Sequence, residues 1–130
     1  MEEKEILEGN KLIAEFMGGV LKPPRKEHPN NPYNKPTWWG VGLRKDAGNF
    51  DLYYHSSWDW LMPVKEKIDS IDNNEYDVII WRSDCHINDR VQILIEASIF
   101  KGEHTLIQIV WKCFVEFIKW YNQNKPHDKR

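Results

Sequence analysis

Apolar positions recur with a helical period in three places along the chain and alternate in two others. In 3–17, Ile6, Leu12, Ile13, Phe16 and Met17 form one stripe at a spacing near 3.6, which predicts a helix. Gly18 and Gly19 follow as its stop. From 57 to 71, Leu61, Val64, Ile68 and Ile71 fall at i, i+3, i+7 and i+10, the signature of a second helix. Ser56 stands three residues before Asp59, close to the spacing of a capping box. Pro63 lies inside this helix and predicts a kink, because proline removes one backbone donor, unless the first turn is a separate element. In 101–124, Leu106, Val110, Cys113, Phe117 and Trp120 or Tyr121 make one stripe. Ile107, Trp111, Phe114 and Ile118 make its neighbour. Two adjacent stripes give a broad apolar face, so this helix is expected at the centre of the core.

The β signals lie between the helices. "YDVIIWR", 76–82, reads as a buried strand. "VQILIEASIF", 91–100, alternates: Val91, Ile93, Ile95, Ala97 and Ile99 are expected inside, with Gln92, Glu96 and Ser98 wet. "SDCHINDR" between them reads as a turn with a short strand at most. "TWWGVGLR", 37–44, predicts a short strand, "KDAGN" a turn, and "FDLYY" a short extended return. Residues 20–37 hold five of the seven prolines and predict a long, net-positive loop. The order predicts an α+β fold, a small antiparallel sheet with helices packed on it in the manner of an α-β-α sandwich. One domain over 1–124 suits the length of 130 residues, with 125–130 as a polar tail.

Composition changes this picture in two ways. A net charge of −2 and a pI near 6.2 argue against bulk nucleic-acid binding. No apolar run approaches 18 residues, so no membrane span is expected, and the charged start does not read as a signal peptide. The expected setting is the cytoplasm. Cys113 falls in the apolar pattern as a small hydrophobe, and Cys113 with Cys85 cannot complete a zinc site.

The candidate chemistry is concentrated in "YYHSSWDW", 53–60. His55, Ser56, Ser57 and Asp59 have the residue types of a hydrolase, but neighbours at a helix start point in different directions. No G-x-S-x-G elbow occurs. Helix capping by Ser56 or Ser57 is the simpler account. Backbone N–H groups at the same helix start also offer an anion site. His28, His55, His86 and His104 with Asp84 lack paired metal-ligand spacing, and no metal or other cofactor is expected.

Seven tryptophans and five tyrosines exceed what so small a core needs. Trp38, Trp39, Tyr54, Trp58 and Trp60 could wall a nucleotide by stacking, beside His55. Arg44, Arg82, Arg90 and the helix start at Ser56 and Ser57 would take its phosphates. The same aromatics also suit a homo-oligomer or protein interface, where tryptophan is a frequent hot spot.

Three blocks of the chain, "NKLIAEFMGG", "YHSSWDWLMPVKEKI" and "VWKCFVEFIKWYN", resemble small phage and prophage proteins of Bacteroidetes. The family is the phage ABA-sandwich domain. The blocks cover about 38 residues in the same order. The resemblance implies helices on both faces of a sheet and a viral origin, and carries no catalytic residues with it. Small phage proteins of this size often counter host defence. The expected function is thus non-enzymatic sequestration of a nucleotide-like defence signal. The alternative is an inhibitor or adaptor that grips a host defence protein through an aromatic patch.

Overall fold

The structure, a computed structural model, describes residues 2–23, 26, 29–30, 37–39, 46–48, 52–81, 84–89, 92–96 and 105–124. In chain order these form α1 (Glu3–Phe16), β1 (Val20–Lys22), β2 (Thr37–Trp39) and β3 (Asp46–Gly48). Then come α2 (Trp58–Asn74), β4 (Asp77–Trp81), β5 (Asp84–Asn88), β6 (Ile93–Glu96) and α3 (Leu106–Asn124). The class is α+β, as the periodicity predicts. The strands form two antiparallel three-stranded sheets, ordered β1-β2-β3 and β4-β5-β6.

α3 is the core element. Nine of its residues are buried, among them Val110, Trp111, Cys113, Phe114, Phe117 and Ile118. Its start carries a reciprocal cap: the Thr105 amide donates to Gln108 Oε1 at 2.9 Å, and the Gln108 amide to Thr105 Oγ1 at 3.4 Å. The cap expected at 56–59 does not form. Ser57 occupies the N-cap of α2 in an extended conformation, with no side-chain bond to the helix.

Pro63 does not break α2 either. The donor it lacks would have served the carbonyl of Asp59, an exposed residue in the first turn, where a lost backbone bond costs least. The dihedrals leave the helix only at Ile71, and Asp72, Asn73 and Asn74 follow at φ 52°, 61° and 62°. Left-handed backbone costs about 1–2 kcal/mol per residue for most side chains, and Asp and Asn tolerate it best. Asp72 is also held from outside, by Tyr121 Oη at 3.2 Å and Tyr76 Oη at 3.4 Å. Asn74→Ala is therefore expected to lower stability by about 1 kcal/mol while Asn74→Gly does not, read by urea denaturation.

Several boundaries differ from the sequence reading. Val20–Lys22 is a strand rather than the start of the proline loop, because it finds β2 as a partner: Val20 pairs with Trp39 and Lys22 with Thr37. "DAG" within the expected turn is β3, paired with β2. Tyr54–Ser56 is a turn, with Ser56 and Ser57 amides both bonded to the Tyr53 carbonyl, and Phe50 and Asp51 of the expected extended return lie outside the described residues. "DCHIN" is the central strand of the second sheet, with β4 and β6 on either side.

The second sheet lies on the helices by one face. Val78, Cys85 and Ile87 are buried, and Cys85 meets Cys113 of α3 as a pair of buried thiols. The hydrogen bond with Cys85, and then burial, push the Cys113 thiol far up, so it stays protonated.

Candidate functional site

One polar residue, Asn10, is buried among the described residues. Its carboxamide ties three elements together. Trp111 Nε1 donates to Asn10 Oδ1 at 2.8 Å. Asn10 Nδ2 donates to the Leu52 carbonyl at 2.9 Å and reaches His55 Nδ1 at 2.9 Å. Gly9 makes room for this junction: a Cβ there would overlap the Trp111 ring, lying 2.6 Å from its Cη2. The turn that holds His55, Ser56 and Ser57 is thus fixed to α1 and α3. Burial lowers the pKa of His55.

The predicted stacking residues divide by burial. Trp38, Tyr54 and Trp60 lie in the core at 1 %, 0 % and 5 % exposure, so their ring faces are closed to a ligand. Trp60 packs edge-on to Tyr54 with centroids 5.1 Å apart. The Tyr54 hydroxyl is buried and has no hydrogen-bond partner among the described residues, and burial pushes its pKa up. The sequence signal that suggested a wall was the density of aromatics, and packing uses three of them. Trp39 and Trp58 are exposed. Trp39 donates to Thr37 Oγ1 at 3.0 Å and carries the Lys22 ammonium 4.4 Å above its ring.

The proposed phosphate contacts are reduced as well. The amides of Ser56 and Ser57 are taken by the Tyr53 carbonyl, so they do not face outward as an anion cradle. Arg44, Arg82 and Arg90 lie outside the described residues. So do His28 and His104. Among the described residues no cluster of three metal-ligating side chains occurs. No helix of these residues is long and apolar enough to cross a membrane.

A groove of about 500 Å³ runs between α1 and α3, with Leu12 and Val115 on its floor. Its rim carries Glu5, Glu8, Glu116, Lys112 and Lys119. Lys112 bridges to Glu5 across it at 2.7 Å. Acids and bases are mixed here, which does not suit a multiply charged phosphate ligand.

The surface that sequence reasoning did not single out is the outer face of the second sheet. Asp77, Ile79 and Trp81 point away from the helices on β4, as do Asp84, His86 and Asn88 on β5. Strict alternation would bury Ile93 together with Ile95. A register irregularity beside Ile87 and Asn88 changes the parity: Ile95 pairs with Ile87 inside, while Ile93 pairs with Asn88 outside. The result is a mixed face on which Trp81 is 63 %, Ile93 53 % and Ile79 39 % exposed, among Asp77, Asp84, His86 and Asn88. Ile79 lies opposite His86, and Trp81 opposite Asp84. Nothing in "YDVIIWR" distinguishes a strand buried on both faces from one whose second face is bare, so this feature was not legible there.

Comparisons with protein-family models, with curated proteins and with solved structures find no match for this chain.

Proposed function

We propose that this chain is a non-enzymatic binding protein of viral type, which grips a host defence protein through the outer face of β4–β6. The observation that carries this reading is the exposure of Ile79, Trp81 and Ile93 together on one sheet face. Ile79 and Trp81 stand side by side on β4, and Ile93 lies on β6 across the polar β5 row of His86 and Asn88. Exposed large side chains of this kind, tryptophan above all, are favourable against a complementary partner. The viral setting rests on the resemblance to small phage proteins. The non-enzymatic reading is supported by His55, whose Nδ1 is engaged by Asn10 rather than by a serine.

A nucleotide-like signal draws less support as the ligand. Three of its five stacking residues are core, and the serine amides are taken within their own turn.

The test is capture from lysate of infected host cells, run with the wild type beside Trp81→Ser/Ile93→Ser. Both positions are exposed, so the double variant should keep its stability to within about 1 kcal/mol. Loss of a tryptophan hot spot is worth at least about 2 kcal/mol, which is roughly 30-fold in affinity. The expected result is a protein captured by the wild type and lost by the variant. Equal capture by both chains contradicts the reading. So does an intact nucleotide released on denaturation with no protein partner.

A further inference from the structure

The Asn10 carboxamide has no free valence for hydrogen bonding to His55 other than as a donor. Its oxygen accepts from Trp111 Nε1, an indole N–H that can only donate. Its nitrogen gives one hydrogen to the Leu52 carbonyl, which can only accept. The second hydrogen points to His55 Nδ1. Turning the amide around does not relieve this, because it sets –NH2 against the indole N–H. His55 Nδ1 is therefore unprotonated, and the neutral ring carries its proton on Nε2.

We propose that Asn10 and His55 form a proton-operated lock on the 53–57 turn. Protonation of His55 places an N–H on Nδ1, so a donor faces a donor, and the turn keeps only the Asn10 bond to the Leu52 carbonyl at its start as a tie to α1. The turn presents Tyr53 and leads into Trp58, both exposed aromatic residues. Opening the lock changes how these two are displayed and how α2 begins. The device is independent of the β4–β6 face.

From α1 the facing group is Asn10, and from α3 it is Trp111 acting through Asn10; neither titrates. Its own turn carries the phenols of Tyr53 and Tyr54, and burial pushes the Tyr54 pKa up. Burial alone lowers the pKa of His55. A lowered pKa means that the unfolded chain takes the proton first. The stabilisation is full above the ordinary histidine value of about 6.5 and is lost as pH falls below it and through the lower folded-state pKa.

His55→Asn tests the lock, because its Oδ1 stands near the place of Nδ1, accepts from Asn10 and does not titrate. Long-range proton–nitrogen correlation of the wild type at pH 7.5 should show Nδ1 unprotonated and Nε2 protonated. Between pH 7.5 and 5, amide exchange of 53–57, corrected for its intrinsic pH dependence, should rise at least about 10-fold in the wild type and stay flat in His55→Asn. A proton on Nδ1 at pH 7.5 overturns the proposal. So does a wild-type turn whose corrected exchange is flat, or one that matches a responsive His55→Asn. The tautomer measurement uses the wild type alone and decides the matter even where the variant does not fold.

Discussion

Asn10→Leu is expected to lower the stability of this domain by about 3–5 kcal/mol. Leucine has nearly the same volume, so packing is not the reason. The loss comes from what Asn10 leaves behind: the Leu52 carbonyl, His55 Nδ1 and Trp111 Nε1 all face an apolar side chain. A buried group stripped of its partner costs about 1–3 kcal/mol. Three such groups, with partial relaxation at the half-buried His55, give the stated range. Domains of this kind are stable by only about 5–15 kcal/mol, so the change is large on that scale. The check is urea denaturation followed by circular dichroism. Adding Trp111→Phe to Asn10→Leu removes one stranded donor, and the double variant should then fall short of the sum of the two single losses. A loss under 1 kcal/mol for Asn10→Leu would mean that the junction is not closed as described.

Gly9→Ala should destabilise by about 2–3 kcal/mol, against the trend for helices. In an open helix this change is favourable by about 1 kcal/mol. Here the added methyl meets the Trp111 ring, and Val115 Cγ2 lies 3.2 Å away on the other side. The indole is poorly placed to move, because its Nε1 is bound to the next residue of the same helix, Asn10. Overpacking of this kind costs about 1–3 kcal/mol. A melting experiment on Gly9→Ala and on an exposed α1 control, Lys4→Ala, separates the local clash from helix propensity. Gly9→Ala matching or exceeding the wild type would contradict the close approach of α1 and α3.

The three helices were legible because each buries a stripe that repeats along the sequence. α3 was plain from its double stripe, and its core position follows from the same breadth. α2 was legible in extent, but its cap and its proline were misjudged. Capping depends on whether a side chain turns back to the helix amides, and at Ser57 it does not. The reciprocal pair Thr105 and Gln108 has the right spacing in the sequence and went unread behind the 56–59 signal.

The strands were harder, because short strands are defined by partners. Val20–Lys22 and Asp46–Gly48 have no pattern of their own and exist as strands through β2. The exposure of Ile93 depends on a register shift that alternation cannot reveal. The aromatic wall failed for a related reason. Composition counts rings, while only the fold decides which of them face inward: Trp38, Tyr54 and Trp60 do, and Trp81 does not.

The most direct test of the central proposal is amide hydrogen exchange of the chain alone and in complex with the protein it captures. The account predicts new protection across 77–96, on the strands that carry Ile79, Trp81 and Ile93, with 53–58 unchanged. Protection centred on 37–39 and 53–58, with 77–96 unaffected, would contradict it and place the working surface at Trp39 and Trp58.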